Sequence, residues 1–446
     1  MNVAVMKTKA EQAISEAFEA VAGKLPGGAL VKARRAEAIG KFGALGLPHR
    51  RIEEWKYTDL RGSLKEALPP AIHDRTPLTI AELIVALGPL AHVDAYRVAF
   101  VNGQHRAELD DVSEATGLDV TTLGAALASA PEKIASRLVG TSDGDGGAIV
   151  ALNAAFMTDG AIVRVADGAS LAKPLLIIFV RAGAEARSVA VRNIIAVGAG
   201  ATATVIEVHV VLPGSTKDVQ VNALSEVSVG KAATLHQAKV AVDEGKCVHL
   251  SNWVVTLEAD AIYRGFQYAS GQGLARNEIN VVYTGEGGKL DLSGAYLARG
   301  AEHIDTTLVV DHAVPRCESR ELFKGVLDGH ARGVFQGKII VRPDAQKSDG
   351  KQMSQALMLS EDAEFDSKPE LEIFADDVVC GHGTTSAQLD PDLLFYCMSR
   401  GIPENEARAL MIESFIGEAI DKVEHQGLKM ALMSYATGWL AASVRS

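Results

Sequence analysis

Cysteine is scarce and scattered: the 446 residues hold four, Cys247, Cys317, Cys380 and Cys397, and no CxxC pair. That spacing argues against a disulfide framework or a self-contained zinc site and fits a reducing cytosol. No block of Lys and Arg stands out either. Against 44 basic residues stand 56 acidic ones, a formal charge of −12, which speaks against nucleic acid or anionic membranes as partners. No window approaches the roughly 18 apolar residues of a membrane span. The opening MNVAVMKTKAEQAISEAFEA lacks the apolar core of a secretory signal. The expectation is a soluble, cytoplasmic protein. Catalytic signatures are missing as well. GVFQGKII and GEGGKLDL place Ile or Leu after Gly-Lys, where a phosphate loop needs a magnesium-binding hydroxyl. No GxSxG or HExxH occurs. The chain is expected to have no nucleotide site of its own, so any ATP-driven work requires an ATPase on another chain.

What is present falls into three regions. Residues 1–147 read as mainly helical with a β-hairpin: Ala10 to Ala22 and Leu30 to Leu45 carry good helix formers. AYRVAFVNGQHRAEL places an Asn102-Gly103 turn between two strands, and TTLGAALASAPEKIASRL returns to helix. The Gly/Asp/Ser-rich stretch 140–150 marks a boundary. Residues 148–388 are a succession of short Val-, Ile- and Thr-rich runs (LLIIFV, ATATVIEVHVVL, GVFQGKIIV) with no amphipathic helix between them. That excludes an α/β crossover fold and leaves a sandwich, a barrel or a β-solenoid; a propeller would repeat at about 40 residues. A parallel β-helix suits so long a helix-free stretch, because each coil buries its apolar face on the next. Residues 389–446 are helical again. Asp390 is an N-cap ahead of Pro391, Gly401 ends that helix, and Pro403 opens a longer one. Its stripe is Ile412, Phe415, Ile416, Ala419, Ile420 and Val423, with Gly427 as its breaker.

Soft ligands concentrate in FADDVVCGHGTT, residues 374–385. Cys380 and His382 are two apart, so on a strand their side chains leave one face. They form a metal-binding pair that is two ligands short of a closed site. For any single Cys-x-His the bland alternative is a buried thiol beside a satisfied histidine. His312 and Cys317 are separated by Pro315 and cannot share a strand face; a polar bend between coils is expected there. Trp55 and Tyr57, in RRIEEWKYTDL, read as packing anchors more than as a base-stacking platform. Cys247, placed in a strand, and Cys397, in a helix, read as core or incidental. A carboxylate pair in a groove along the solenoid, as in a polysaccharide-active lyase or hydrolase, is the alternative reading.

KPELEIFADDVVCGHGTTSAQLDPDLLFYCMSRGIPENEARALMIESFIGEAI (368–420) and DHAVPRCESRELFKGVLDGHARGVFQGKIIV (311–341) resemble the SufB/SufD family, scaffold subunits of the Suf iron–sulfur cluster assembly machine. GLPHRRIEEWKYTDL (46–60) and VAFVNGQHRAEL (98–109) extend the resemblance over nearly the whole chain. The Cys380-Gly381-His382-Gly383 run resembles the SufD branch, whereas the SufB branch has Glu-His-Glu-Ala-Thr there. The resemblance implies a mainly β fold: a right-handed parallel β-helix core with helical N- and C-terminal regions. It implies a non-catalytic scaffold that pairs with SufB through the β-helix. It also implies a SufC ATPase docked on the C-terminal helices around 403–425. A transient cluster would assemble at the SufB interface, with His382 and Cys380 among its ligands. A homodimer in isolation remains open, and nothing in the residues speaks for or against a flavin.

Overall fold

The computed structural model describes residues 7–113, 115–135, 147–216, 218–243 and 245–443. Its centre is a parallel β-helix. Successive strands go to opposite sheets, one of ten strands and one of nine. In the body of the solenoid each strand pairs in parallel with the strand two places before and two places after it. Val248–Leu257, for instance, lies between Val219–Val229 and Leu274–Tyr283. Period-2 alternation decides what each strand buries. In Leu175–Arg181, Leu175, Ile177 and Phe179 enter the lumen beside Val205, Leu235 and Trp253. Leu176, Ile178 and Val180 leave the opposite face and pack under the C-terminal helices. Both faces are covered, which is why these strands read as continuous apolar runs. Lumen aromatics fit because a neighbouring coil offers glycine: a Cβ on Gly325 would lie 2.1 Å from Cζ of Tyr296.

The N-terminal helices Lys9–Val21, closed by a Thr8–Glu11 capping box, and Ala29–Leu45 pack beside the nine-stranded sheet. There Ile14, Phe42 and Trp55 share a core with Ile149, Leu250 and Leu274. The C-terminal helices Glu404–Ile420 and Gln426–Ser443 cover the ten-stranded sheet through Ile412, Ile416, Ala419, Ile420, Leu428 and Leu432. The apolar stripe therefore faces inward, with Phe415 packed partly buried at its side.

Several expectations shift in detail. The hairpin turns at Asn102 (φ 47°) and Gly103 (φ 77°), but its second arm is only Gln104–His105. Its first arm, Tyr96–Val101, joins the ten-stranded sheet by pairing in parallel with Leu175–Arg181, so the hairpin closes one end of the solenoid. Gly147–Phe156 is a helix, so the helix-free stretch begins at Ala161 rather than at 148. Seven of its ten residues are buried; a helix covered nearly all round carries no amphipathic stripe to announce it. Of the boundary stretch, residues 140–146 lie outside the described residues. Gly427 sits inside the last helix, and the break falls at 421–425 instead.

The two ends of the solenoid differ. One is closed by the hairpin and by Leu118–Thr122, which pairs antiparallel with Ala161–Val165. At the other, Glu364–Ile373 and Val379–Ala387 are the terminal strands of their sheets, with no strand beyond them among the described residues. Neither strand has a buried residue.

Candidate functional site

Val379–Ala387 carries the Cys380–His382 pair on this open end. The Gly381–Gly383 side faces outward, since a Cβ on Gly383 would lie 2.6 Å from Cε of Met353, an exposed side chain. Cys380 and His382 therefore share the lumen-facing side. Cys380 packs against the end cluster of Ile339, Val341, Ala345 and Ala375 and is half-buried. His382 has no coil above it and is exposed. Burial raises the Cys380 thiol pKa, opposed by a backbone hydrogen bond at Gly350 and reinforced by the charge of Asp349. In the isolated chain the thiol keeps its proton at neutral pH, and an incoming cation is what would convert it to a ligand. Among the described residues no third His, Cys, Asp or Glu completes this pair.

Beneath the pair the parallel register builds two columns. Cys380 stands over Gly350 and Ser319, and His382 over Gln352 and Glu321. Gln352 Nε2 donates to the Gly337 carbonyl at 3.1 Å, while its Oε1 is buried without a partner. Both carboxyl oxygens of Glu321 are also buried without a partner. Burial, offset only in part by Ser319 and Arg320, pushes the Glu321 carboxyl up to about 8. The folded chain thus holds it as the neutral acid. The stability conferred by that proton is fully present below the ordinary value of 4.5 and is lost as pH rises toward about 8. Glu321→Gln is expected to remove this dependence. Urea midpoints of variant and parent should converge near pH 4.5 and diverge with rising pH, the variant being more stable by about 3 kcal/mol near neutrality. Parallel pH profiles would show that Glu321 ionises freely.

The other sequence candidates separate. His312 and Cys317 lie at a bend between coils, as expected; both are buried, while Arg316 between them is exposed and pairs with Glu286. His312 Nε2 meets Ser319 Oγ at 3.1 Å, and burial pushes the ring down to about 4. Cys317 Sγ donates to the Pro315 carbonyl at 3.5 Å. The two share no ligand site. Trp55 is 1% exposed with the Arg276 guanidinium 3.9 Å from its ring centroid, a packing anchor. Cys397 is on the helix Pro391–Ser399, half-buried.

Cys247 is not in a strand. It immediately precedes Val248–Leu257, fully buried, beside Asp243 and His249. These three form the one group of metal-competent side chains found among the described residues. Burial raises the Cys247 thiol, against the opposing charges of Arg181 and Lys239, and holds His249 well below the usual histidine range. The sequence reading passed over this set although a signal existed: Cys247-Val248-His249 has the same spacing as Cys380-Gly381-His382.

A cleft beside residues 50–68 is lined by Arg50, Lys56, Lys65, Lys246 and Arg332, against Asp59, Glu66 and Asp218. Its cationic excess does not suit the carboxylate pair of a polysaccharide-active enzyme. No helix among the described residues is long and apolar enough to cross a membrane.

Comparison with known proteins places the chain as a whole. The family profile "SUF system FeS cluster assembly, SufBD core domain" matches residues 179–415, and the "SufBD protein N-terminal region" matches residues 11–177. The iron–sulfur cluster assembly protein SufD of Escherichia coli is 29% identical over 392 residues, 87% of this chain and 88% of that protein. A SufBD family iron–sulfur cluster assembly protein of Synechocystis is 29% identical over 400 residues, 87% of each chain. SufD of Bacillus subtilis is 29% identical over 297 residues, 64% of this chain and 65% of that protein.

Proposed function

The chain belongs to the SufBD family of iron–sulfur cluster assembly proteins, and from that premise we propose that it is a SufD-type scaffold subunit whose Cys380 and His382 supply half of a shared assembly site. The observation that carries this is the placement of the pair: two soft ligands on the uncovered lumen face of a terminal strand. Unpaired edge strands are templates for strand addition, and exposed Phe374 and Val379 lie just beyond one terminal strand and in the other, as an apolar docking rim requires. A SufB-type partner set against this end would cover the lumen and bring the missing ligands. The cluster is cargo, assembled from iron and sulfide and passed on. An incomplete ligand set suits that role, because neither chain alone holds the product tightly. In this reading the chain performs no covalent catalysis and works in the cytoplasm.

The drive would come from a SufC-type ATPase on the C-terminal helices around 403–425. The stripe of Glu404–Ile420 is committed to the solenoid, which leaves the opposite face, where Leu410 is exposed, for docking. The helix Pro391–Ser399 begins four residues after Ala387, the end of the ligand strand, so force on these helices reaches that strand through a short connection.

Co-expression with a SufB-type chain and a SufC-type ATPase, followed by anaerobic reconstitution with ferrous iron and sulfide, tests the proposal. The complex is expected to gain labile sulfide and visible charge-transfer bands that the isolated chain does not retain. Equal loading of the isolated chain, or no association with the partner, would contradict it.

A further inference from the structure

The second Cys-x-His of the chain lies inside the solenoid rather than at its end. Asp243 is followed by exposed Gly245 and Lys246, then by Cys247, and His249 lies on the strand Val248–Leu257. All three side chains are buried, and one potential ligand atom from each lies within 4.8 Å of the other two. Asp243 Oδ2 is the hub, 3.6 Å from Cys247 Sγ and 3.2 Å from His249 Nδ1. Its other oxygen, Oδ1, is taken by the Arg181 guanidinium, and Gln272 Nε2 donates to Oδ2 at 3.2 Å. An ion pair alone would explain Asp243 and Arg181. It does not explain why a thiol and an imidazole converge on the same carboxylate oxygen.

We propose that Asp243, Cys247 and His249 form a binding site for one divalent cation of the zinc or ferrous class, completed by water. Thiolate, imidazole and carboxylate together select borderline-soft cations over magnesium or calcium, which take oxygen ligands. Three protein ligands with one position left to solvent is a stable tetrahedral arrangement. Arg181 and Gln272 orient the carboxylate as supporting hydrogen-bond partners do around metal ligands. The surroundings are also under-satisfied. His249 Nε2, Arg181 Nη1 and Gln272 Oε1 are all buried without a partner, and cation-bound water would offer such atoms partners. On binding, the Cys247 thiol gives its proton to solvent, and thiolate plus carboxylate balance the two positive charges of the ion. The site is separate from the open end and does not rest on the assembly reading.

The full-length chain, stripped with a chelator and titrated with Co²⁺, tests this directly. The expected result is about one Co²⁺ per chain, tetrahedral in its visible spectrum and with a thiolate-to-cobalt charge-transfer band. A Cys317→Ser, Cys380→Ser, Cys397→Ser, His382→Ala variant leaves Cys247 as its single thiol and should keep that band; Cys247→Ser should lose it. Absence of the band from the single-thiol variant overturns the proposal, whether or not Cys247→Ser folds. So does a band that survives Cys247→Ser.

Discussion

Replacing His382 with alanine is expected to cut cluster loading of the assembled complex at least about tenfold, the scale on which loss of a metal-site contact is felt, while complex formation is unchanged. His382 is exposed and stands on a terminal strand with no coil above it. Its removal opens no cavity, and the isolated chain should keep its stability within about 0.5 kcal/mol. The loss would therefore be chemical and confined to the shared site. Iron, acid-labile sulfide and the visible spectrum after anaerobic reconstitution are the measurements, with co-purification stoichiometry as the control. Cys380→Ser is a weaker probe, because Cys380 also packs on Ile339 and Val341, so its loss mixes ligation with packing. Unchanged loading in an intact complex would make His382 a structural residue and move the site wholly into the partner.

Arg276→Ala is expected to cost about 3–5 kcal/mol, because it strands a buried carboxylate. Asp305 is 0% exposed and Arg276 2% exposed, joined Nη1 to Oδ2 at 2.5 Å. The same guanidinium covers the Trp55 ring and donates to the Glu54 carbonyl at 2.9 Å. On the other side Thr58 donates to Asp305, and Gln336 reaches the same Glu54 carbonyl at 3.0 Å. One buried ion pair thus pins residues 54–58 to three coils of the nine-stranded sheet. Urea denaturation should show the loss, and limited proteolysis should cut near residues 50–60 in the variant before it cuts the parent. Arg276→Met with Asp305→Leu should recover much of the cost, since a buried pair replaced by apolar groups is close to neutral. A single variant within about 1 kcal/mol of the parent and equally resistant to protease would mean that the helices hold this segment without the pair.

Local chemistry written in the sequence reappears in the structure wherever short-range rules decide. Asp390 caps Pro391–Ser399 by accepting from the Asp392 amide at 2.8 Å. Asn102-Gly103 makes its turn with both φ angles positive. Alternating strands put Cys380 and His382 on one face. Misreadings arose where tertiary burial overrode pattern. Gly147–Phe156, covered on nearly all sides, lost its helical stripe, and Cys247 was assigned to a strand that begins one residue later. Glu321 gave no signal, because an acid in the charged run Glu318-Ser319-Arg320-Glu321 looks like any solvated charge until coils stack above and below it.

Residue order by itself determined that this chain would run through a long succession of strands, read from 148 to 388, end in helices, and carry two Cys-x-His pairs with identical spacing. Only the stacking of coils decided how those pairs differ. Cys247 and His249 have further coils on both sides and are sealed with Asp243 in a buried polar pocket. Cys380 and His382 lie on the last turn, where no further strand follows, and open toward whatever docks there. Side-chain spacing is a property of the strand, whereas burial is a property of its neighbours, and burial sets which pair is closed and which awaits a partner.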